Sequence, residues 1–224
     1  ATVLISLICL IFFSKFKSPV KQKIKLEVKR QYWLYYFLHF FAGARRQIFV
    51  VFAAFMMVEK FGLHVHELTS LFLLNFCLNI FFAPLMGKVV QIFGERISLC
   101  FEYAGLTFVF LAYAGIYYWD WGVHVAIALF IVDHLFFALS IAMKTYFQKI
   151  ADPADIAPQA AVAFTINHIG AVFLPAFLGY LWIIFPSLVF QVAAFLAIIS
   201  FITSICISSH PAPGRESIFV STRA

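Results

Sequence analysis

Long hydrophobic runs recur along this chain at about residues 1–13, 32–58, 68–87, 97–119, 123–147, 160–185 and 187–208, with short polar stretches between them. A helix needs about 20 apolar residues to cross a bilayer. Six of the runs meet that length and predict full transmembrane helices joined by short loops. The run from Thr2 to Phe13 is too short for a span, and it lacks the basic n-region and small-residue cleavage site of a signal peptide. Position 1 is Ala rather than Met, so this run reads as the cytoplasmic end of a helix that begins earlier. The chain then reads as the C-terminal part of a longer polypeptide. The expected fold class is all-α, a polytopic membrane helical bundle with six full transmembrane helices plus the end of a preceding one. Residues 1–13 would be that end, 14–31 a basic cytoplasmic linker, 32–208 the six-helix domain and 209–224 a polar, mobile cytoplasmic tail.

Local signals mark the joints. In the linker Lys21, Lys23, Lys25 and Lys29 alternate with Ile24, Leu26 and Val28, a period of two that suits an extended stretch as well as a helix. Glu59, Lys60 and Gly62 end the first full span, and an aromatic cluster, Tyr117 to Gly122, ends the third as membrane-interface residues do. Asp152, Pro153, Asp155 and Pro158 carry turn and N-cap chemistry, and Pro186 marks a tight turn.

Charge fixes the orientation. Taken alternately, one set of gaps together with the tail holds Lys15, Lys17, Lys21, Lys23, Lys25, Lys29, Arg30, Lys88, Arg96, Lys144, Lys149, Arg215 and Arg223. The other set holds only Lys60. Cytoplasmic loops carry the excess of Lys and Arg, so the basic gaps and the C-terminus are expected in the cytoplasm. Composition agrees: 64% of residues are apolar, 12% are charged and the mean hydropathy is +0.97, against about half and a quarter in a soluble domain. The net charge of +6 does not point to nucleic acid, because the basic residues flank spans, where they meet anionic lipid headgroups. The expected surroundings are a lipid bilayer. Cys9, Cys77, Cys100 and Cys206 all lie inside runs with no C-x-x-C spacing, so neither a disulfide nor a zinc framework is implied. A Gly-rich phosphate loop and a G-x-S-x-G elbow are both missing, so no ATP-driven pump is encoded in these residues and no cofactor is expected.

Polar groups inside a bilayer are costly, and each asks for a reason. Arg45 and Arg46 sit near the middle of a span, about 13 residues or roughly 20 Å from either end. They either bind or gate an anionic substrate, or form a structural pair with carbonyls and carboxylates of neighbouring helices. Gly43 beside them permits a local break. Asp133 and His134 lie at matching depth, as a proton-coupling switch or as an inert salt bridge to the arginines. Asn75 and Asn79, four residues apart, share a helix face and either bind a ligand or join helices. Thr165, Asn167 and His168 lie in the cytoplasmic half of the span 160–185, as packing residues or as part of a solute pathway. Glu102 reads as a structural partner of the nearby cytoplasmic turn. His64, His66 and Glu67 form a loop cluster that lacks a third metal ligand of suitable spacing, so no metal site is assigned.

The turn Pro84 to Leu99, PLMGKVVQIFGERISL, resembles the cytoplasmic signature between the second and third helices of each half of a major facilitator superfamily transporter. Gly87, Gly94 and Arg96 match its spacing, while Gln91 stands where the family has Asp and Glu95 where it has a basic residue. The layout of a helix end, a basic linker and six spans is also similar to that family's second half. The resemblance implies a central cavity lined by the first, second, fourth and fifth spans. Those carry Arg45, Arg46, Asn75, Asn79, Asp133, His134, Asn167 and His168, and the resemblance puts Glu102 on an outer helix. It further implies a secondary active transporter working by alternating access; within it Arg45 or Arg46 would hold the anionic group of a small anionic or polar solute, and Asp133 and His134 are the candidates for proton coupling. The partner would be an N-terminal six-helix half, on the same or another chain. A non-transporting membrane scaffold with the same fold is the alternative. An intramembrane enzyme would need converging nucleophilic or metal-ligand groups, which no spacing here provides.

Overall fold

The computed structural model describes residues 2–13, 20, 23 and 25–219. The part of the basic linker bearing Lys15, Lys17 and Lys21, and the end of the tail with Arg223, lie outside the described residues. The helices are α1 (Thr2–Phe13), α2 (Trp33–Ile48), α3 (Ala54–Phe61), α4 (Val65–Trp119), α5 (Val123–Phe137), α6 (Ile141–Ile150), α7 (Ile156–Ile184) and α8 (Pro186–Ile205). A π-helical turn, Phe49–Ala53, joins α2 to α3, and a 3-10 turn, Ala138–Ser140, joins α5 to α6. Each pair is therefore one continuous rod. Among the described residues, five helical stretches are long and apolar enough to cross a membrane: Arg30–Phe61, Val65–Trp119, Val123–Ile150, Pro153–Ile184 and Pro186–Ile205. The protein is a helical membrane protein by this character.

At 55 residues α4 is far longer than one crossing requires. It folds back at Gly94, whose backbone (φ 81°, ψ 166°) leaves the helical region for one that favours glycine. The proof is spatial. Phe76 before the break and Leu106 after it line the same cavity, yet a straight helix would hold them about 45 Å apart. Other joints follow ordinary chemistry. Gly62 (φ 68°) ends α3 in the left-handed conformation, Asp120 (φ 50°) does the same after α4, and Pro186 opens α8, where its missing N–H costs nothing. The Glu67 carboxylate accepts the His64 backbone N–H at 2.8 Å and caps α4. That gives the His64, His66 and Glu67 cluster a local structural role.

Polar contacts sort the molecule into two ends. At one, Lys149 pairs with buried Glu95 at 2.7 Å, Arg96 reaches Ser209 at 3.5 Å, and Lys23 pairs with Asp155 at 2.8 Å. At the other, Lys60 pairs with Asp120 at 2.9 Å, the Trp182 indole donates to Glu59 at 2.7 Å, and Gln191 donates to the Tyr118 hydroxyl at 2.9 Å. The described part of the linker is extended and straps the start of α7. Lys29 also pairs with Asp155, the Gln159 amide donates to the Glu27 carbonyl at 3.0 Å, and Tyr36 shares a hydrogen bond with Gln159. The bond to Asp155 holds the Lys23 ammonium above the ordinary lysine pKa.

The tail departs from expectation. Residues Ile207–Ala212 (β1) and Arg215–Ser217 (β2) form an antiparallel hairpin, turned at Pro213 and Gly214 (φ 79°). Ile207 is fully buried, and the Tyr146 hydroxyl donates to the Glu216 carbonyl at 2.7 Å. A sequence rich in polar and turn residues is thus folded onto α6, so the fold is helical with one small hairpin.

Candidate functional site

Helices α2 and α7 cross with backbone against backbone. A side chain on Gly43 would land on the Asn167 carbonyl, and one on Gly170 would sit 2.8 Å from the Phe40 carbonyl oxygen. Glycine is required at both places because backbone meets backbone. Helix α2 runs unbroken through Gly43, so the local break that a glycine permits is not taken there. The irregular turn comes later, at Phe49–Ala53. The Asn167 amide donates to the His39 carbonyl at 3.0 Å, so this predicted solute residue first serves to hold the crossing.

Beside that crossing lies a cavity of about 80 Å³, lined by Arg45, Arg46, Glu102, Asp133 and His134 with Phe and Leu side chains between them. Its walls come from α2, both arms of α4, and α5. Arg45 is buried, with its guanidinium 4.5 Å over the Tyr103 ring. Arg46 is exposed at the cavity edge and lies 5.0 Å over Phe137, a cation–π contact. Among the described residues no carboxylate oxygen comes within 4.0 Å of either guanidinium. The Arg45 Nε, Glu102 Oε2, Asp133 Oδ1 and Asn75 Oδ1 atoms are buried without a hydrogen-bond partner in the protein. Buried polar atoms left unmatched are expensive. Together with the cavity's size they fit a site that takes up water or a small polar group.

Glu102 is a correction. It is 1% exposed and opens onto this cavity rather than meeting the cytoplasmic turn. The turn's own carboxylate, Glu95, already has Lys149. The signal was available, because Glu102, Leu106 and Phe110 follow at intervals of four and share one helix face.

The two asparagines point at α5. Asn75 donates to the Phe130 carbonyl at 3.3 Å, and the Asn79 amide nitrogen lies 3.5 Å from the His134 Nε2. Gly87 has open space around it, Gly94 supplies the fold-back, and Arg96 is turned to the hairpin. Thr165 bonds to its own helix at Ala161, and His168 does so at Phe164. His168 stands on a second, larger cavity of about 520 Å³ whose wall also includes Arg46, Lys144, His39 and Tyr35. Lys144 and His39 carried no site assignment from sequence. Tyr35, His39, Ala42 and Arg46 form a stripe at helical spacing, a pattern that marks one face.

The chain matches no family model, no curated protein and no solved structure. The reading of its function therefore rests on the physical character of these two cavities.

Proposed function

We propose that this chain is a six-helix half of a secondary active transporter, working by alternating access on a small anionic or polar solute with proton coupling. The fold-back of α4 at Gly94 supports counting six spans, with arms of 29 and 25 residues. The charge sorting supports placing the 14–31 linker and the C-terminus in the cytoplasm. The observation that carries the reading is the cluster of two arginines and two carboxylates around one cavity with no short ion pair among them. A structural salt bridge would bring oxygen and nitrogen into contact. Charges held apart around a small, largely apolar cavity are poised to exchange partners with a proton or an anion. Arg46, Lys144 and His168 are exposed on the face that carries the cavities. Such groups at membrane depth call for a second six-helix half to cover them, on the same chain or another.

The test is proton movement in proteoliposomes that hold a trapped pH-sensitive dye and contain the protein with its partner half. A gradient of an organic acid anion imposed across the vesicle should drive a change of internal pH. D133N and E102Q should lose it while inserting normally. Absence of any response across carboxylates, phosphate and sulfate, with correctly folded protein, would favour a membrane scaffold instead.

A further inference from the structure

The two cavities share the Arg46 wall but differ in charge. Two buried carboxylates, Glu102 and Asp133, face the smaller one. The larger one has two permanent cations, Arg46 and Lys144, and no Asp or Glu on its wall. Acids near that end of the bundle are already engaged: Asp155 by Lys23 and Lys29, Glu95 by Lys149. Among the described residues neither Arg46 nor Lys144 has an ion-pair partner within 4.0 Å.

Aromatic rings make up part of the remaining wall, among Ala42, Ser140, Met143, Gln148 and Asn167. Tyr35 stacks on Phe147 with ring centroids 4.2 Å apart, and Phe164 lies 4.0 Å from the His168 ring. Phe137 sits under Arg46. Lys144 follows Phe137 by seven residues, about 10 Å along the helix. Arg and Lys side chains each reach several ångströms, so both heads can close on one acidic group held between them. A volume of about 520 Å³ falls in the range of small-molecule pockets. We propose that this cavity binds a free organic anion with a flat, apolar body, its acid group between Arg46 and Lys144 and its body against Phe137, Phe147 and Phe164. This deepens the transport reading by naming the solute class. An anionic lipid headgroup offers the same charge, but the stacked aromatic wall suits a planar body.

The test is equilibrium dialysis of the purified protein, with its partner half, against three probes: 2-naphthoate, 2-naphthamide and acetate. Naphthoate should bind at least about tenfold tighter than either of the others, the factor expected from one well-placed charged contact. K144Q should weaken naphthoate by about the same factor, whereas K149Q, outside the cavity, should not. Equal binding of the amide would overturn the anion, equal binding of acetate the apolar body, and an unaffected K144Q the site. Displacement of naphthoate by phosphatidylglycerol, but not by phosphatidylcholine, would assign the cavity to lipid and overturn the free solute. Binding needs no transport, so the two readings fail separately. Naphthoate binding without any solute-driven proton flux removes the transporter, and flux driven by a small inorganic anion without naphthoate binding removes the solute class.

Discussion

Replacing Gly43 by Ala tests the α2–α7 crossing on which the larger cavity depends. The added methyl would fall on the Asn167 carbonyl, with the Asn167 carbonyl carbon at 2.8 Å and Cγ at 2.9 Å. Carbon contacts relax near 3.5–4.0 Å, so α7 must retreat by roughly 1 Å. Overpacking of this kind costs about 1–3 kcal/mol. Losing the bond from Asn167 to His39 adds about 0.5–1.5 kcal/mol. The better helix propensity of Ala returns about 0.5–1 kcal/mol, which leaves G43A less stable by about 0.5–4 kcal/mol. G170A faces the Phe40 carbonyl and should behave alike. Gly179 lies in the same helix as Gly170 with nothing within 4 Å, so G179A keeps the propensity gain alone and should be neutral or slightly stabilised. The three variants are compared by loss of helical circular dichroism on titration with SDS. If G43A and G170A resist denaturation as well as G179A does, α2 and α7 do not meet backbone to backbone, and the placement of Arg46 opposite His168 loses its basis.

Cysteines placed at Lys60 and Lys88 should label from opposite sides of the membrane in intact cells. Labelling from one side would undo the topology. R45A should insert and purify yet lose solute-driven proton movement, and R45K should rescue poorly, because an ammonium cannot reproduce the planar guanidinium over Tyr103. Normal flux in R45A would remove Arg45 from the site. D155N should loosen the strap over α7, since Asp155 holds Lys23 and Lys29 together. Limited trypsin digestion should then cut faster at Lys25 and Lys29, and an unchanged cutting rate would mean that the strap is held by its other bonds.

The helices and their ends were legible because the bilayer demands them. A long apolar run with interface residues at its ends has few alternatives to a spanning helix. The fold-back at Gly94 was legible for the same reason: it falls between two runs, in a turn marked by Gly94, Glu95 and Arg96. The hairpin of the tail was not. Its strands are short and polar, and what fixes them is tertiary, namely the burial of Ile207 and the hydroxyl of Tyr146. Gly43 shows the same limit. A glycine in a helix permits both a break and a close approach, and only the position of Asn167 across the interface decides between them.

The site divides along similar lines. Depth can be counted from a sequence, so Arg45, Arg46, Asp133 and His134 could be grouped before their positions were known, and one cavity does bring them together. Direction is harder to count. Adjacent helical residues point about 100° apart, and that turn separates Arg45, buried over Tyr103, from Arg46, exposed over Phe137. It is this divergence that lets one dipeptide serve two cavities of unlike charge. Arg45 stands with Glu102 and Asp133, where a proton has two carboxylates to occupy. Arg46 stands also with Lys144, where an anion has two cations. Protonation in the smaller cavity leaves the shared arginine facing less negative charge there and freer to attract an anion from the larger one. On the proposed transport reading, the two arginines would be the physical link by which binding of a proton and of an anion favour each other, without either ligand touching the other.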